Sequence, residues 1–525
     1  MPGNVYLCGP PGAGKSTIAP LLAALLGRAA IDVDAQIEAA ERRPVARIID
    51  EDGEARFRQL ERETILAACV HADCVVALGG GALEDPTTRE RIAESGVLVF
   101  LDASLATCTE RTRGEPGLRP LLRDPTTLAR LHAERRPRYA AAPIRVSVDG
   151  LSCAAAAAAV HEALNERRIV HVMTPKPYDV AIGARVLDEL PYDVQPPEGG
   201  RVLIVADEAV ASVARRIERA YRAGGEDVSL SLVAADEALK SFDRIAALYA
   251  VFSDARIDRR SLVVGVGGGT ISDAVGFAAA TYQRGIPYVA VPTTLLAAVD
   301  AAIGGKTAIN LPAGKNFVGT ITQPLHVAIA PHVLRALPRR DIVSGYGEML
   351  KYGLALDAEL YRALRSGEAA LLEDPATALD AIARCVELKA ELVARDEEDR
   401  TGARAILNFG HTVGHAIEKV AGYGALRHGE AVIVGMRAAL ALSANRGTLG
   451  GGERAEADAH LAGLPVPADW RGLDVDALIA ATRNDKKRHA GGTQFVLLDR
   501  IGTARLDDFI RDEDVRAALA EIGLA

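Results

Sequence analysis

Short apolar runs alternate with amphipathic stretches along the first 165 residues of the chain. The runs at 5–7, 75–78 and 97–101 have the length of strands, and the segments between them have helical periodicity. Strands that alternate with helices predict a parallel sheet with helices on both faces. An alanine-rich helix at 152–166 is predicted to close this unit.

A second series of strands begins directly after that helix, with strands predicted at 169–173 and 178–183. The alternation resumes at residue 201, and strands are predicted at 202–206, 228–233, 262–266 and 288–291. Beyond residue 331 helical periodicity dominates, apart from a strand at 494–498. We therefore predict an α/β protein with three domains: a parallel-sheet domain at 1–167, a nucleotide-binding α/β domain at 168–330 and a mostly α-helical domain at 331–525.

Length, charge and cysteine content narrow the class of protein. A chain of 525 residues is too long for one core. Its net charge of −9 gives no general reason to expect nucleic acid or an anionic membrane as a partner. The six cysteines are scattered without a close pair, which argues against a disulfide framework. With no signal peptide or spanning segment evident, we expect a cytoplasmic protein that acts on small molecules.

A phosphate-binding loop occurs near the start of the chain. The sequence GPPGAGKST at 9–17 follows a predicted strand and precedes a predicted helix. Its glycines allow backbone N–H groups to surround phosphates, Lys15 reaches the β- and γ-phosphates, and Ser16 ligates Mg²⁺. The predicted ATP-binding residues of this loop are Gly12, Ala13, Gly14, Lys15, Ser16 and Thr17.

The motifs that follow the loop indicate the phosphate acceptor. They are the Asp32–Asp34 pair, Arg58 with Glu61, the glycines at 79–81, the RPLL sequence at 119–122, and Arg135 with Tyr139. Each motif alone also fits a surface carboxylate pair, a solvated arginine or a glycine turn. In this order and spacing they resemble shikimate kinase across residues 1–165. Gluconate kinase is the alternative, but that family does not explain RPLL together with the other motifs.

The resemblance to shikimate kinase implies a role for each motif. Asp32 would help Ser16 to hold Mg²⁺, and Asp34 would orient and help deprotonate the 3-hydroxyl of shikimate. Arg58 and Arg135 would bind the shikimate carboxylate as bidentate donors. Arg119 would lie on a lid over ATP. The implied shikimate-binding residues are Asp34, Arg58, Gly80, Gly81 and Arg135, and the implied catalytic residues are Lys15 and Asp34.

The second half carries a glycine turn among basic residues. The sequence VVGVGGGTISD at 263–273 reads as a buried strand, a turn and a helix start, which is typical of a pyrophosphate site, although it is not GxGxxG. Lysine and asparagine residues lie beside further glycine turns at 304–310 and 314–316, and Arg284 precedes them. This composition suits a substrate rich in phosphate and hydroxyl groups.

Histidines and a glutamate predict a metal site further along the chain. His411 and His415 are four residues apart and therefore share a helical face. His428 adds a third imidazole, and Glu348 in GYGEMLKYG offers a carboxylate oxygen. Such histidines also occur as core or surface residues. We favour a catalytic divalent metal with three protein ligands and an open position, and carboxylate with imidazole ligands suits zinc or cobalt.

These motifs resemble 3-dehydroquinate synthase across residues 170–515. The metal ligands implied by the resemblance are Glu348, His411 and His428, which leaves His415 in the reacting pocket. The implied NAD-binding residues are Asp207, Glu237, Lys240, Gly268, Gly269, Asp273, Thr293 and Thr294. The implied substrate-binding residues are Asp300, Lys306, Lys315, Asn316, Lys351, Lys389, Arg404, Asn408 and His415, with Lys486 or Lys487. Lys306, His415 and Arg284 would be catalytic, and Arg284 would help to hold the substrate phosphate.

The resemblance implies the chemistry as well. The second half would convert 3-deoxy-D-arabino-heptulosonate 7-phosphate to 3-dehydroquinate and phosphate, and NAD would be reduced and regenerated. With the kinase, this predicts a bifunctional enzyme of chorismate and aromatic amino acid biosynthesis that forms a homodimer through its second half. The synthase product must be dehydrated and reduced before the kinase can use it, so each half is predicted to fold and act alone.

Two departures from the synthase pattern affect individual residues. The acidic run at 396–404, DEEDRTGAR, is one residue longer than is typical, so either Glu398 or Asp399 serves as its acidic pocket residue. The ADEAV sequence around Asp207 lacks an asparagine often found there.

Metal-dependent polyol dehydrogenases, other sugar phosphate cyclases and a non-catalytic scaffold are the alternatives to this function. Lys306, Asn316 and the basic run at 486–488 disfavour the dehydrogenases, and the attached kinase disfavours the other cyclases. A scaffold is disfavoured because the residues that catalysis needs, Lys15, Asp34, Glu348 and the histidines, are all present.

Overall fold

The first part of the chain forms a five-stranded parallel sheet with helices on both faces. A computed structural model describes residues 3–71, 73–112, 125–312, 314–422, 424–484 and 493–524. The strand order is β2-β3-β1-β4-β5. The strands are β1 (Asn4–Cys8), β2 (Ala29–Asp32), β3 (Cys74–Ala77), β4 (Gly96–Asp102) and β5 (Ile144–Ser147). The helices are α1 (Lys15–Leu26), α2 (Val33–Glu41), α3 (Val45–Asp52), α4 (Glu54–Ala68), α5 (Pro86–Ser95), α6 (Leu105–Thr112), α7 (Pro125–Ala140) and α8 (Cys153–Asn165).

A seven-stranded sheet follows, in the order β6-β7-β14-β11-β10-β8-β9. Its edge strand β6 is antiparallel to β7, and the other pairs are parallel. The strands of this region, including the antiparallel hairpin β12–β13, are β6 (Arg167–Val172), β7 (Tyr178–Gly183), β8 (Val202–Asp207), β9 (Val228–Val233), β10 (Leu262–Gly267), β11 (Tyr288–Pro292), β12 (Lys306–Leu311), β13 (Gly314–Ile321) and β14 (His326–Ile329). The helices are α9 (Val186–Asp193), α10 (Ala211–Ala223), α11 (Phe242–Asp254) and α12 (Gly269–Thr281).

The remaining residues are mainly helical, and a second antiparallel hairpin packs among the helices. The helices are α13 (Arg339–Leu356), α14 (Ala358–Leu364), α15 (Glu368–Glu373), α16 (Pro375–Arg395), α17 (His411–Ala421), α18 (His428–Asn445), α19 (Gly451–Ala462), α20 (Val475–Asn484) and α21 (Asp512–Glu521). The hairpin strands are β15 (Thr493–Arg500) and β16 (Thr503–Ile510). Within the described ranges no helix is both long enough and apolar enough to cross a bilayer.

The predicted fold class is confirmed, and the differences have local causes. The central strands were predicted well because they are continuous apolar runs buried on both faces. The prediction of one strand after residue 331 is wrong, because β16 pairs with β15. Strand β16 carries polar residues at alternate positions and gives a weak apolar signal. Only Glu166 separates α8 from β6, so the two sheets are joined without a linker.

Close helix packing gives a test of the helical region. A methyl group added at Gly435 in α18 would collide with the carbonyl oxygen of Gly410 at the start of α17. Overpacking of this kind costs about 1–3 kcal/mol. We therefore expect Gly435→Ala to lower the free energy of unfolding by about that amount, measured by denaturant titration. Gly452→Ala in α19, where a methyl group meets nothing within 4 Å, is the control and should have little effect.

Candidate active sites

The phosphate loop joins β1 to α1 and surrounds a cavity. Gly12 and Gly14 have φ angles of 85° and 95°, a left-handed region that glycine adopts without a Cβ clash. Lys15 is buried, and its Nζ donates a hydrogen bond to the carbonyl of Gly9 at 2.8 Å. The loop lines a cavity of about 420 Å³, in which Ser16 and Thr17 also lie.

The adjacent strands bring the two aspartates to the same cavity. Asp32 ends β2, and its Oδ1 accepts a hydrogen bond from the backbone N–H of Ala35 at 3.0 Å, which caps α2. Asp34 lies in the first turn of that helix. Since β2, β3 and β1 are parallel neighbours, their carboxyl ends meet at one edge. Both aspartates and Gly79 therefore line the cavity of the phosphate loop.

The triple glycine lets the backbone approach the predicted acceptor residues. A Cβ on Gly79 would collide with the carboxylate of Glu61, and one on Gly81 would collide with the guanidinium of Arg58. A Cβ on Gly80 would lie 3.5 Å from Nη1 of Arg135. The structure thus brings together the shikimate-binding set that the sequence predicted.

Glu61 lies beneath this set. Arg58 Nη1 donates a hydrogen bond to its Oε2 at 2.7 Å. Burial raises the pKa of Glu61, and the Arg58 guanidinium opposes that rise. Arg58 and Arg135 also line a second, open cavity of about 610 Å³. Arg119 lies outside the described residues.

One residue of the kinase site was not predicted. Arg111 in α6 lines the phosphate-loop cavity and donates hydrogen bonds to the carbonyls of Ala13 at 3.3 Å, Val148 at 3.2 Å and Leu151 at 3.2 Å. It holds the loop against the β5–α8 connection. No local motif marks it, because its partners are distant in sequence.

In the second sheet, the carboxyl ends of β8, β10 and β11 lie side by side. Asp207 is the last residue of β8, and Gly268 and Thr293 follow β10 and β11. The backbone N–H of Thr293 donates to the carbonyl of Gly267 at 2.9 Å. A Cβ on Gly268 would lie 3.0 Å from the side chain of Thr294. Gly269 begins α12 here, so its N-terminus faces the crevice where α/β sheets bind nucleotides.

Four predicted residues meet beside this edge. Lys240 Nζ lies 2.6 Å from Oδ2 of Asp273 and also contacts the side-chain oxygen of Asn316. Asn310 Nδ2 donates to Oε1 of Glu237 at 2.7 Å, and Asn310 Oδ1 accepts from the backbone N–H of Asn316 at 2.9 Å. The hairpin β12–β13 therefore connects the predicted NAD residues with the predicted substrate residues.

Helices α13, α17 and α18 bring the predicted metal ligands together. Oε1 of Glu348 lies 3.5 Å from Nε2 of His411 and 3.4 Å from Nε2 of His428. The carboxylate has no exposed surface. Two imidazole nitrogens and one carboxylate oxygen that converge in this way fit a divalent metal. One ring nitrogen from each of His411, His415 and His428 also lies within 4.8 Å of those of the other two, so distance alone does not separate His415 from the other two.

Hydrogen bonds to the protein fix the Nδ1 atoms of His411 and His428. Nδ1 of His428 donates to Oε2 of Glu418 at 3.0 Å, and Nδ1 of His411 donates to the carbonyl of Phe409 at 3.2 Å. These bonds leave both Nε2 atoms directed at Glu348, the arrangement that orients metal-binding histidines. Glu418 was given no role from the sequence, although it lies only three residues after His415 in the sequence NFGHTVGHAIE at 408–418.

A chain of opposite charges runs from Glu348 towards the sheet. Its carboxylate contacts Lys351 one turn along α13, and Lys389 Nζ lies 2.5 Å from Oδ1 of Asp300. Tyr352 donates a hydrogen bond to Asp300 at 3.2 Å. Burial alone would raise the pKa of Asp300, but Lys389 and Lys351 lower it to about 2. Both lysines are buried, so the site holds two positive charges away from bulk water.

The one-residue insertion in the acidic run is accommodated by a turn. Asp399 has a φ of 53°, and its Oδ2 lies 2.5 Å from Nζ of Lys306. Glu398 pairs with Arg400 at the surface. Asp399 is therefore the acidic residue that faces Lys306.

The other predicted substrate residues are spread over two elements and one undescribed segment. Arg404 is buried, and Asn408 ends the 3-10 turn before α17. A Cβ on Gly304 would lie 3.1 Å from Nη2 of Arg404, which places Arg404 beside the turn before Lys306. Lys315 lies in β13. Lys486 and Lys487 lie outside the described residues.

The structure does not bring Arg284 to this chain's own site. Arg284 follows α12, at the end opposite Gly269, about 20 Å away for a helix of 13 residues. Its neighbour Gln283 contacts the loop before β10, at the amino-terminal edge of the sheet. Arg284 is exposed. Within one chain α12 therefore lies between Arg284 and the other substrate residues, and its role in the substrate site stays a prediction.

Known protein families match the two halves of the chain separately. A family model described as shikimate kinase matches residues 11–165. Models described as 3-dehydroquinate synthase N-terminal and C-terminal match residues 230–344 and 345–488.

Individual proteins of known name are similar to about two thirds of the chain. The 3-dehydroquinate synthase of Rhodopirellula baltica is 42% identical over 320 residues, which cover 61% of this chain and 85% of that protein. The 3-dehydroquinate synthase of Caulobacter vibrioides is 44% identical over 352 residues, which cover 65% of this chain and 94% of that protein. A solved structure of 2-epi-5-epi-valiolone synthase from Streptomyces hygroscopicus subsp. jinggangensis 5008, with NAD⁺ and Zn²⁺ bound, is also similar. It is 30% identical with a TM-score of 0.59, and the match covers 66% of this chain and 96% of that protein.

Fold and sites together define a phosphate-loop kinase domain followed by an α/β enzyme with a candidate carboxylate–histidine metal site. The chain belongs to the 3-dehydroquinate synthase family, and a shikimate kinase domain precedes the synthase. This confirms the resemblances found in the sequence.

Proposed function

We propose that the chain phosphorylates shikimate with ATP in its first half and forms 3-dehydroquinate from 3-deoxy-D-arabino-heptulosonate 7-phosphate in its second. The observation that carries the synthase assignment is the buried Glu348 carboxylate, which faces the Nε2 atoms of His411 and His428. For the kinase it is the shared cavity of the phosphate loop, Asp32 and Asp34.

In the kinase half, the chain's residues mainly position two substrates. Lys15 and the loop N–H groups would bind the ATP phosphates, and Ser16 with Asp32 would hold Mg²⁺. Asp34 lies in the same cavity and would accept the proton of the attacking hydroxyl. Arg58 and Arg135, at the glycine turn, would bind the carboxylate of shikimate.

In the synthase half, the chain's residues would bind and orient one substrate. When bound, the metal would polarise substrate hydroxyls, and NAD⁺ would accept a hydride and return it. Asp207, Gly268 and Thr293 would line the dinucleotide site. Lys351 and Lys389, both buried, would bind substrate oxygens in a site of low dielectric constant, where charge is most effective.

Other sugar phosphate cyclases share this architecture, as the valiolone synthase illustrates. Two features favour the dehydroquinate reaction. The dehydroquinate synthases of Rhodopirellula and Caulobacter are 42% and 44% identical, against 30% for the valiolone synthase. The attached shikimate kinase domain also belongs to the same biosynthetic route.

A cytoplasmic location is part of the proposal. None of the six cysteines, all of which lie in the described ranges, forms a disulfide, and five of them are buried, which suits a reducing compartment.

The kinase assignment is tested by Asp34→Asn. The amide keeps the shape of the carboxylate but not its charge or basicity, so we expect shikimate phosphorylation to fall by at least about 100-fold. Dehydroquinate formation by the same preparation should stay unchanged. Asp50→Asn, an exposed carboxylate in α3, is the matched control. A near-normal rate of phosphorylation in Asp34→Asn would remove Asp34 from this role.

The metal assignment is tested by replacing the histidines one at a time. His411→Ala is expected to lose both bound metal and dehydroquinate formation, because one of three ligands is gone. His415→Ala should keep most of its metal and lose rate. Elemental analysis of the purified proteins measures the metal, and His171→Ala, an exposed histidine of the same half, is the control. Equal loss of metal in His415→Ala would make His415 a ligand.

A homodimer through the second half is also proposed, and Arg284 supports it. An exposed arginine with a φ of 68° beside a second strained residue, Gln283, is unusual for a surface turn. In a homodimer Arg284 would reach the partner's substrate site rather than its own.

Mixed dimers test this arrangement. Arg284→Ala and Glu348→Ala should each be inactive as synthases. Mixing the two under exchange conditions should restore up to about one quarter of the activity, since a mixed dimer contains one site with both native residues. Mixing two preparations of the same variant is the control. No recovery, with dimer exchange demonstrated by mass, would place Arg284 outside the shared site.

A further inference from the structure

The two halves of the chain are docked through an arginine face on α10. Arg215 and Arg219 are one helical turn apart and therefore point the same way. Arg215 Nη1 lies 2.9 Å from Oε1 of Glu94, near the end of α5, and Arg219 Nη1 donates to the carbonyl of Cys69 at 2.9 Å. Both partners belong to the kinase half.

Glu94 makes this contact more than a surface ion pair. Only 3% of its side chain is exposed. Its Oε2 pairs with Arg91 of the same half at 2.8 Å, and its Oε1 pairs with Arg215 of the other half. Without Arg215, one oxygen of a buried carboxylate would lose its charged partner, which is costly.

The synthase half also caps two kinase helices. Cys69 directly follows α4, where the last carbonyls of a helix have no intrahelical donor. Arg335, just before α13, donates to the carbonyl of Ala142 at 2.8 Å and to that of Ala140, the last residue of α7, at 3.4 Å. A cation is favourable at both helix ends.

These two helices carry the arginines of the acceptor site. Arg58 lies in α4 and Arg135 lies in α7. We propose that Arg219 and Arg335 of the synthase half are positioning residues for the kinase, because they fix the C-terminal ends of the helices that present Arg58 and Arg135. The functional part of this inference rests on the proposed acceptor site; the capping itself does not.

The contact continues to β1, the strand that precedes the phosphate loop. Tyr6 in β1 donates a hydrogen bond to the sulfur of Cys69 at 3.3 Å, and its hydroxyl lies 2.6 Å from that of Ser95, next to Glu94. Ala184 of the synthase half also packs against the kinase core. Neither half shares an intermediate with the other, so the value of the fusion to the kinase is structural support.

Hydrogen exchange of the full-length chain tests the capping without any activity assay. In Arg219→Met and Arg335→Met we expect amides in the last turns of α4 and α7, respectively, to exchange about tenfold faster, equal to about 1.4 kcal/mol. The exchange rates of amides in strands β10 and β11 should be unchanged. Arg222→Met is the matched control, because its ion pair with Glu218 stays within α10.

Kinetics of the same proteins test the positioning role. The KM for shikimate should rise about threefold or more, with kcat and the KM for ATP little changed, since ground-state binding of the acceptor is affected. Arg219→Lys and Arg335→Lys keep the positive charge and should keep most of the native exchange protection and the native KM for shikimate. They also replace any Met variant that fails to fold. Exchange no faster than in Arg222→Met would overturn the capping. Faster exchange with an unchanged KM for shikimate would overturn the positioning role.

Discussion

The burial of one carboxylate, that of Glu348, organises the synthase half. A charged group without exposed surface needs compensating partners, and these come from three helices. Burial alone would raise the pKa of Glu348, but Lys351 and His411 hold it well below its usual range. Because Lys351 is in turn close to Asp300 and Lys389, the candidate metal site and the predicted substrate residues form one electrostatic unit.

Close approach of α13 and α18 makes this unit possible. A Cβ on Gly429 would collide with the carbonyl of Ser344, and the backbone N–H of Gly429 donates to the Ser344 hydroxyl at 3.0 Å. Arg340 forms a bidentate pair with the buried Glu430. The same turn of α13 thus holds the start of α18 and keeps His428 opposite Glu348.

Both halves use parallel sheets in the same physical way, for different chemistry. In each, glycine turns at the carboxyl ends of adjacent strands present backbone N–H groups to a phosphorylated ligand. The kinase adds carboxylates at Asp32 and Asp34, which suit a transfer that needs a base and Mg²⁺. The synthase adds a separate helical domain, because metal and dinucleotide must meet on one substrate. The two reactions are not consecutive, so the direct join from α8 to β6 does not serve to pass an intermediate.

The sequence by itself determined the fold class and the two families, and it supplied the predicted site residues that the structure then placed. Local signals carried that information: apolar runs for the buried strands, glycine turns for the phosphate loop, and the spacing of His411 and His415. What it did not provide were contacts between distant segments. Arg111, Glu418 and the polar strand β16 have partners or neighbours that no local pattern specifies.

Only the tertiary structure decided three further points. It placed Asp399 against Lys306, because Asp399 lies in a left-handed turn, whereas Glu398 pairs with Arg400. It separated Arg284 from the other substrate residues by the length of α12. It also joined two motif sets that look independent, because the charges of Arg215 and Arg219 find their partners only when the two sheets are packed together. Motifs record which groups a reaction needs, whereas distances and burial across the fold decide which of them meet.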